Sequence, residues 1–427
     1  MLLQFRVKNF RSIAEEQTFS MVAGKSSSGK IEYSTPTNNS LAPYALKVAT
    51  IVGPNASGKS NLIKAMCFFN DFIIHCIGKT NINKNIPVEP FKLDRKLEKS
   101  PSEFDVCFIH KGNFYQYGFT LDENQVYNEW LFTKPNKKNT RMRTLFTREY
   151  DVEKKAYRWH ISPSIKGEKL SWKNSTRDDA LFLSTAIQLN ALAFSDAYLW
   201  LSRYFRILLN FDIIDQNSNI YTFSQCLNPK NKNDVLNLIK SIDVDILDIE
   251  SKEVEIPKDS LSFMDKKVID KIMSDTNGKS LVLKTYHKTR DDKLKVFDLT
   301  DESDGTRAFI SLSAPLIDVL KNGYTLVVDE MQNSLHPSAL QFIVKLFMNP
   351  KRNAHGAQLI FTTHDTSILS DLLTKDQIWF VEKDSDLSTK LIPLSDFNIR
   401  AKGAFGRAYL AGKFGALPNV KDLLDNE

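Results

Sequence analysis

Residues 53–59, GPNASGK, fit the pattern GxxxxGK, in which the backbone N–H groups of a glycine-rich turn and the lysine ammonium surround phosphate oxygens. The pattern occurs twice, the other copy being GKSSSGK at 24–30. Context separates the two copies. A working loop needs a strand feeding it, a helix leaving it so that the helix dipole faces the phosphates, and a Ser or Thr after the lysine to ligate magnesium. The second copy has ATIV before it, NLIKAMCFF after it and Ser60 beside Lys59. At the first copy Ile31 follows Lys30, and Pro36 bars a helix, so GKSSSGK reads as a flexible loop. Gly53, Asn55, Gly58, Lys59, Ser60 and Asn61 are therefore the candidate phosphate-binding residues.

Three further groups match this chemistry. YTLVVDEMQNSLHP (324–337) is an apolar strand ending in Asp329 and Glu330. One carboxylate there can hold magnesium through water and the next can polarise an attacking water, the division that phosphoryl transfer needs. Alone they would be two exposed acids at a strand end, as Asp301 and Glu302 are before a glycine turn. QLIFTTHDTSIL (358–369) is a second apolar strand, and its His364 can contact a γ-phosphate or the attacking water. His75, His110, His160, His287 and His355 lack such a context, and His336 falls in the LHP turn. Between these groups, Ser303, Asp304, Gly305 and Thr306 open an apolar helix, and small residues with free N–H groups at a helix start form an anion site. Since the chain already has one cradle, this site suggests nucleotide from a neighbouring subunit.

These groups need a parallel sheet beneath them. FRVKNF and ALKVATIV read as strands, and NLIKAMCFFNDFII has helical spacing. Residues 103–162 change character to short aromatic and β-branched runs broken by turn residues, an antiparallel meander. From 174 to 245 the chain reads mostly helical, including AYLWLSRYFRILL, and a lysine-rich patch follows. SLVLKTYH and LKVFDL resemble strands, and from 305 helix and strand alternate as a parallel sheet with crossovers requires. The expected division is a first lobe at 1–173, a helical insert at 174–280, a second lobe at 281–400 and a tail at 401–427.

At 427 residues, two or three structural units are expected, and 42% hydrophobic with 25% charged residues excludes disorder. Four cysteines without CxxC pairs argue against a disulfide scaffold or zinc module and favour a reducing cytosol. No long apolar segment suggests export or a membrane span. The net charge of +6 is unevenly placed. Between Lys134 and Lys173 stand twelve Lys/Arg against four Asp/Glu, interleaved with Phe146, Tyr150, Tyr157, Trp159 and Trp172, which leaves −2 for the rest. Basic residues beside aromatics can bind nucleic acid, with Lys137, Lys138, Arg141 and Arg143 the residues to neutralise. A solvated outer face with its aromatics packed inward is the competing and favoured reading.

Taken in order, FRVKNFRS, GPNASGKS, ESDGT, VVDE with NSLHP, and TTHD resemble the ABC-type ATPase heads of the SMC-like group. The resemblance implies an α/β fold, an ABC-type P-loop head with an antiparallel β subdomain and an inserted helical unit. It also implies a dimer that sandwiches ATP and Mg2+. Lys59 would hold the β and γ phosphates, Ser60 and Asp329 magnesium, Glu330 would be the catalytic base and His364 the switch. Ser303 and Gly305 would act in trans, and Asn9 and Arg11 would approach the nucleotide from the first strand. Glu302, Asp304 and Thr306 depart from that group's usual LSGGQ signature. FYQYGFTLD with NEWLF, QIWFVEKD and RAYLAGKFGALPNV further resemble bacterial single-chain ATPases of the RloA kind, related to the OLD ATPases and to the ATPase of the PARIS anti-phage system. That resemblance implies an ATPase of abortive infection controlling a separate effector, plausibly a nuclease. An SMC-like DNA-binding ATPase of repair or recombination is the alternative.

Overall fold

Beginning at the N-terminus, β1 (Leu2–Lys8) pairs antiparallel with β2 (Gln17–Ser20), and the hairpin of β3 (Ser34–Pro36) and β4 (Tyr44–Leu46) leads into β5 (Val48–Val52). The computed structural model describes residues 1–78, 85–137, 140–209, 216–242, 245–256, 278–333, 335–369, 372–397, 405–411 and 413. Helix α1 (Lys59–His75) follows the glycine turn, and then the meander β6 (Ser102–His110), β7 (Asn113–Leu121), β8 (Val126–Lys134), β9 (Arg143–Asp151) and β10 (Ala156–Ile161). Short helices α2 (Lys169–Ser175), α3 (Phe182–Gln188) and α4 (Ser195–Leu199) precede β11 (Phe205–Leu208). Helices α5 (Gln216–Cys226) and α6 (Pro229–Lys240), strands β12 (Asp248–Glu255), β13 (Lys279–Lys288) and β14 (Leu294–Asp298), and helix α7 (Asp304–Asn322) come next. Among the described residues β15 (Thr325–Val328), β16 (Gln358–Thr363), β17 (Ile378–Lys383) and β18 (Thr389–Pro393) follow, and a short helix at Phe405–Leu410.

Contacts divide the chain into two units. One comprises Met1–Leu209, Asn322–Met331 and Ile343–Glu427, the other Asn210–Lys321 and Gln332–Phe342. Among the described residues the first holds two large sheets besides the β3–β4 hairpin. One is antiparallel, in the order β10-β9-β8-β7-β6-β1-β2; the other has the order β11-β15-β16-β5-β17-β18, parallel except for the last strand. Strands β15, β16 and β5 are buried along their whole length, as central parallel strands must be. Helix α1 buries Leu62, Ile63, Met66, Phe69 and Ile73, spaced three and four apart. Phe69 stacks on Phe119 at 5.3 Å and meets Phe5 edge-on at 5.7 Å, while Ile51, Val327 and Ile360 of the parallel sheet join the same core. The fold is thus the expected α/β P-loop head with an antiparallel subdomain. In the second unit, β12, β13 and β14 form a three-stranded antiparallel sheet, and Thr222 of α5 donates to the Ser311 carbonyl of α7 at 2.7 Å.

Two segments differ from their sequence reading. The helical spacing of AYLWLSRYFRILL stops at a π-turn over Trp200–Tyr204, after which Phe205–Leu208 pairs with Thr325–Val328 as the edge of the parallel sheet. Backbone pairing overrides periodicity there, helped by Trp200, which stacks on Phe108 at 4.1 Å. Asp248–Glu255 is a strand although only Ile249 along it is buried, so it carried no alternation to read. GKSSSGK is followed by turns and no helix, and it is anchored: Ser27 is fully buried and its hydroxyl bonds Thr374.

The basic stretch shows its two halves clearly. Lys137, Arg141 and Arg143 are exposed, and Lys138 lies outside the described residues. Phe146 and Trp172 are buried, Trp159 packs on Phe182, and Tyr157 lies under the Arg148 guanidinium at 3.9 Å. These aromatics are packing residues rather than a stacking platform. All four cysteines are free thiols, and among the described residues no helix is long and apolar enough to cross a membrane.

One buried polar network ties α3 to the meander. Glu129 accepts the N–H groups of Phe182 and Leu183 at 2.6 and 2.9 Å and the Tyr117 hydroxyl at 3.0 Å, with Arg148 3.9 Å away and donating to Ala180 O. Burial raises the Glu129 pKa, opposed by Arg148 and these donors. Removing one member of such a group strands the others. Glu129→Ala is expected to cost about 3–5 kcal/mol, read as a lower denaturation midpoint; a loss under about 1 kcal/mol would contradict this account.

Candidate functional site

Strand β5 delivers the chain to Gly53, and the turn from Gly53 to Gly58 opens α1. Its two outer glycines are dictated by packing. A Cβ on Gly53 would lie 2.3 Å from the Val381 carbonyl of β17, and one on Gly58, at φ 110°, would lie 2.0 Å from Thr389 Oγ1 of β18. Thr389 also holds the turn in place, donating to Ser57 O at 3.0 Å. Its one hydrogen being used there, the Ser12 hydroxyl at 2.7 Å must donate to it, and Asn61 in turn donates to Ser12 at 2.7 Å. Ser12 closes the FRVKNFRS run, but neither it nor Thr389 carries a spacing signal for these contacts.

The start of α1 has no side-chain cap and no acidic residue in its first turn. Its free N–H groups and positive dipole end are therefore open to an anion. Lys59 is 4% exposed and its Nζ donates to the carbonyls of Gly53 and Pro54, both at 2.8 Å. Burial lowers its pKa to about 8, against the pull of Glu330 and Asp329. Asn55 and Ala56 are exposed, while Ser60 and Asn61 are half-buried.

Strands β15 and β16 are the next two along the sheet, in parallel register with β5. Asp329 follows β15, is 2% exposed, and its N–H donates to Leu208 O of β11 at 3.1 Å. Glu330 is half-buried and left-handed, at φ 50°. His364, after β16, is exposed and has the backbone of Gly53 as a hydrogen-bond partner. Partial desolvation and the Lys59 charge hold its pKa below the usual histidine value, against the carboxylates of Glu330 and Asp329. The mutual electrostatics of Lys59, Asp329, Glu330 and His364 place all four at one locus, and oxygen donors from Asp329 and Ser60 suit a magnesium ion. Among the described residues no group of three or more His, Cys, Asp or Glu could hold a metal, so such an ion would depend on water and phosphate oxygens for its other ligands.

The remaining candidates have partners of their own. Asn9 is 1% exposed; its amide donates to Leu97 O and Ser100 O at 2.8 Å and accepts Phe91 N–H at 3.0 Å, so its side chain is committed to the loop before β6. Arg11 pairs with Glu89. Ser303 and Gly305 belong to the second unit, where with Thr306, His336, Ser338 and Phe342 they line a cavity of ≈ 600 Å³. There the Ser303 hydroxyl accepts Thr306 N–H at 3.2 Å, and Glu302 is held by Thr285 and by His287 at 2.7 Å.

A family profile described as "AAA domain, putative AbiEii toxin, Type IV TA system" matches residues 48–370, from the first residue of β5 to beyond His364. No curated protein matches the chain. Among solved structures it is similar to the SMC head domain from Thermotoga maritima (13% identity, 92% of this chain and 98% of that one, TM-score 0.39). It is also similar to an SMC head bound to the C-terminal winged-helix domain of ScpA (14%, 92% and 96%, TM-score 0.43) and to the recombination mediator RecF with ATP (13%, 92% and 97%, TM-score 0.31). These likenesses are too distant to bear on binding or assembly.

The Lys59 environment makes a measurable statement. With its pKa near 8 in the nucleotide-free chain, about half of it is neutral at pH 8. A triphosphate favours the ammonium, so binding at pH 8.5 should take up a proton and weaken as pH rises further. Calorimetry in buffers of different ionisation enthalpy should give buffer-dependent heats that Lys59→Arg, charged throughout, removes. Buffer-independent heats for the unaltered chain would contradict the assignment.

Proposed function

Given that the chain belongs to this AAA-domain family, we propose that it binds ATP with Mg2+, hydrolyses it, and works as the sensor subunit of a bacterial abortive-infection system that controls a separate effector. The observation that carries the ATPase reading is the convergence of Lys59, Asp329, Glu330 and His364 beyond the carboxyl ends of β5, β15 and β16. Open parallel sheets bind ligands in that position.

In this reading the N–H groups at the start of α1 and the Lys59 ammonium take the phosphates, the lysine exchanging the carbonyls of Gly53 and Pro54 for phosphate oxygens. Ser60 and Asp329 hold magnesium, which when bound neutralises charge on the β and γ phosphates. Glu330 accepts a proton from the water that attacks the γ-phosphorus as its bond to the ADP oxygen breaks. His364, kept largely neutral, orients that water or touches the γ-phosphate. Ser303 and Gly305, at the start of α7, supply the anion site for nucleotide held by a second copy, which makes an ATP-bridged dimer the working form. The sensor role and a nuclease as effector are supported by the likeness of FYQYGFTLD with NEWLF, QIWFVEKD and RAYLAGKFGALPNV to ATPases of the RloA kind, which are related to the OLD and PARIS ATPases, and the family's own description points towards toxin–antitoxin biology.

Glu330→Gln should cut turnover about 10²–10⁴-fold while ATP binding persists, and light scattering should show the variant trapped as a dimer with ATP. Turnover unchanged by this substitution would sink the ATPase reading. For the defence role, the gene with its neighbours should lower phage plating and Glu330→Gln should restore it; equal plating with and without the genes would contradict that role.

A further inference from the structure

Thr362 opens the TTHD run but was given no role of its own there, and it makes several contacts with the carboxylate turn. It is fully buried near the end of β16. Its hydroxyl donates to Asp329 Oδ1 at 2.6 Å and accepts the Glu330 N–H at 2.6 Å. Its carbonyl accepts the Met331 N–H at 3.1 Å. One residue therefore touches three consecutive residues of the turn, and it uses both the donor and the acceptor of its side chain to do so.

The turn needs that support. Glu330 sits at φ 50°, where a residue with a Cβ is disfavoured and persists only if its neighbours hold it. From the β11 side the Leu208 carbonyl fixes the Asp329 N–H, and from the β16 side Thr362 fixes the next two N–H groups. The hydroxyl has a single hydrogen. Because the Glu330 N–H takes a lone pair, that hydrogen goes to Asp329, which turns Oδ1 towards the sheet and leaves Oδ2 without a hydrogen bond among the described residues. The free oxygen is the one that can face a cation.

We propose that Thr362 is a positioning residue of the phosphoryl-transfer site, its hydroxyl setting both the rotamer of Asp329 and the direction in which Glu330 leaves the backbone. The inference rests on the ATPase reading above and adds a residue to it. A hydroxyl is what the geometry requires, since valine fills the same space but leaves the Glu330 N–H and Asp329 Oδ1 facing a methyl group. Serine keeps both hydrogen bonds.

The test compares wild type, Thr362→Val, Thr362→Ser and Glu330→Gln in ATP turnover. Thr362→Val should lower kcat about 10²-fold with the KM for ATP within about threefold, and Thr362→Ser should recover kcat to within about fivefold of wild type. Independently of turnover, titration with a fluorescent ATP analogue with and without Mg2+ should show the magnesium-dependent gain in affinity reduced in Thr362→Val and kept in Thr362→Ser. Should the valine variant fail to fold, Thr362→Ala makes the same comparison. If wild type turns over ATP, Glu330→Gln abolishes this and Thr362→Val matches wild type, or if the serine variant is as impaired as the valine one, the positioning role falls and the ATPase reading stands. If wild type shows no turnover dependent on Glu330, the ATPase reading falls and takes this role with it.

Discussion

The parallel pairing of β15, β16 and β5 fixes where every chemical group of the site can be, because each strand hands over its functional residues at its carboxyl end. Val52 leads to Gly53, Val328 to Asp329 and Thr363 to His364, and the register sets Thr362 opposite Ile51 and Phe361 opposite both Val328 and Thr50. A slip of one residue in any strand would exchange its two buried faces, disrupting the packing on both, and move the adjoining turn away from the others. The site is therefore as well determined as the sheet, and α1, packed between Phe5 and Phe119 on one side and the parallel sheet's core residues on the other, shares that rigidity.

Against this rigid frame stand groups that a fold selected only for stability would avoid. Lys59 and Asp329 are almost fully buried charges, Ala56 and Glu330 occupy the left-handed region, and α1 begins without a cap. Each is unfavourable on its own, and their concentration in one place is what ligand binding would repay. The neighbouring strands carry the cost: β17 presses on Gly53, Thr389 on Gly58, and β11 and β16 clasp the Asp329–Met331 turn.

Much of this is legible in the amino-acid sequence. The loop at 53–60, the carboxylates after an apolar strand and His364 after another are spaced and flanked as phosphate chemistry requires, and the aromatic meander reads correctly as antiparallel. Three things were hidden, for different reasons. Strand β11 shares a run with helical periodicity, and only pairing with β15 across more than a hundred residues makes it a strand. Thr362, Thr389 and Ser12 act through hydrogen bonds that no residue spacing encodes. Asn9 looks like a polar residue near the site, whereas its amide is occupied by the loop before β6. The duplicated GxxxxGK illustrates the same point in reverse, because one of the two copies has no strand and helix to serve.

This one locus is expected to receive a nucleoside triphosphate. A crystal structure of the chain with Mg2+ and a non-hydrolysable ATP analogue tests it most directly. The triphosphate should lie across the start of α1, with Lys59 Nζ moved from the carbonyls of Gly53 and Pro54 onto phosphate oxygens and the ion held by Ser60 and Asp329. Phosphates bound elsewhere, or a lysine still on its two carbonyls beside a bound analogue, would contradict the account.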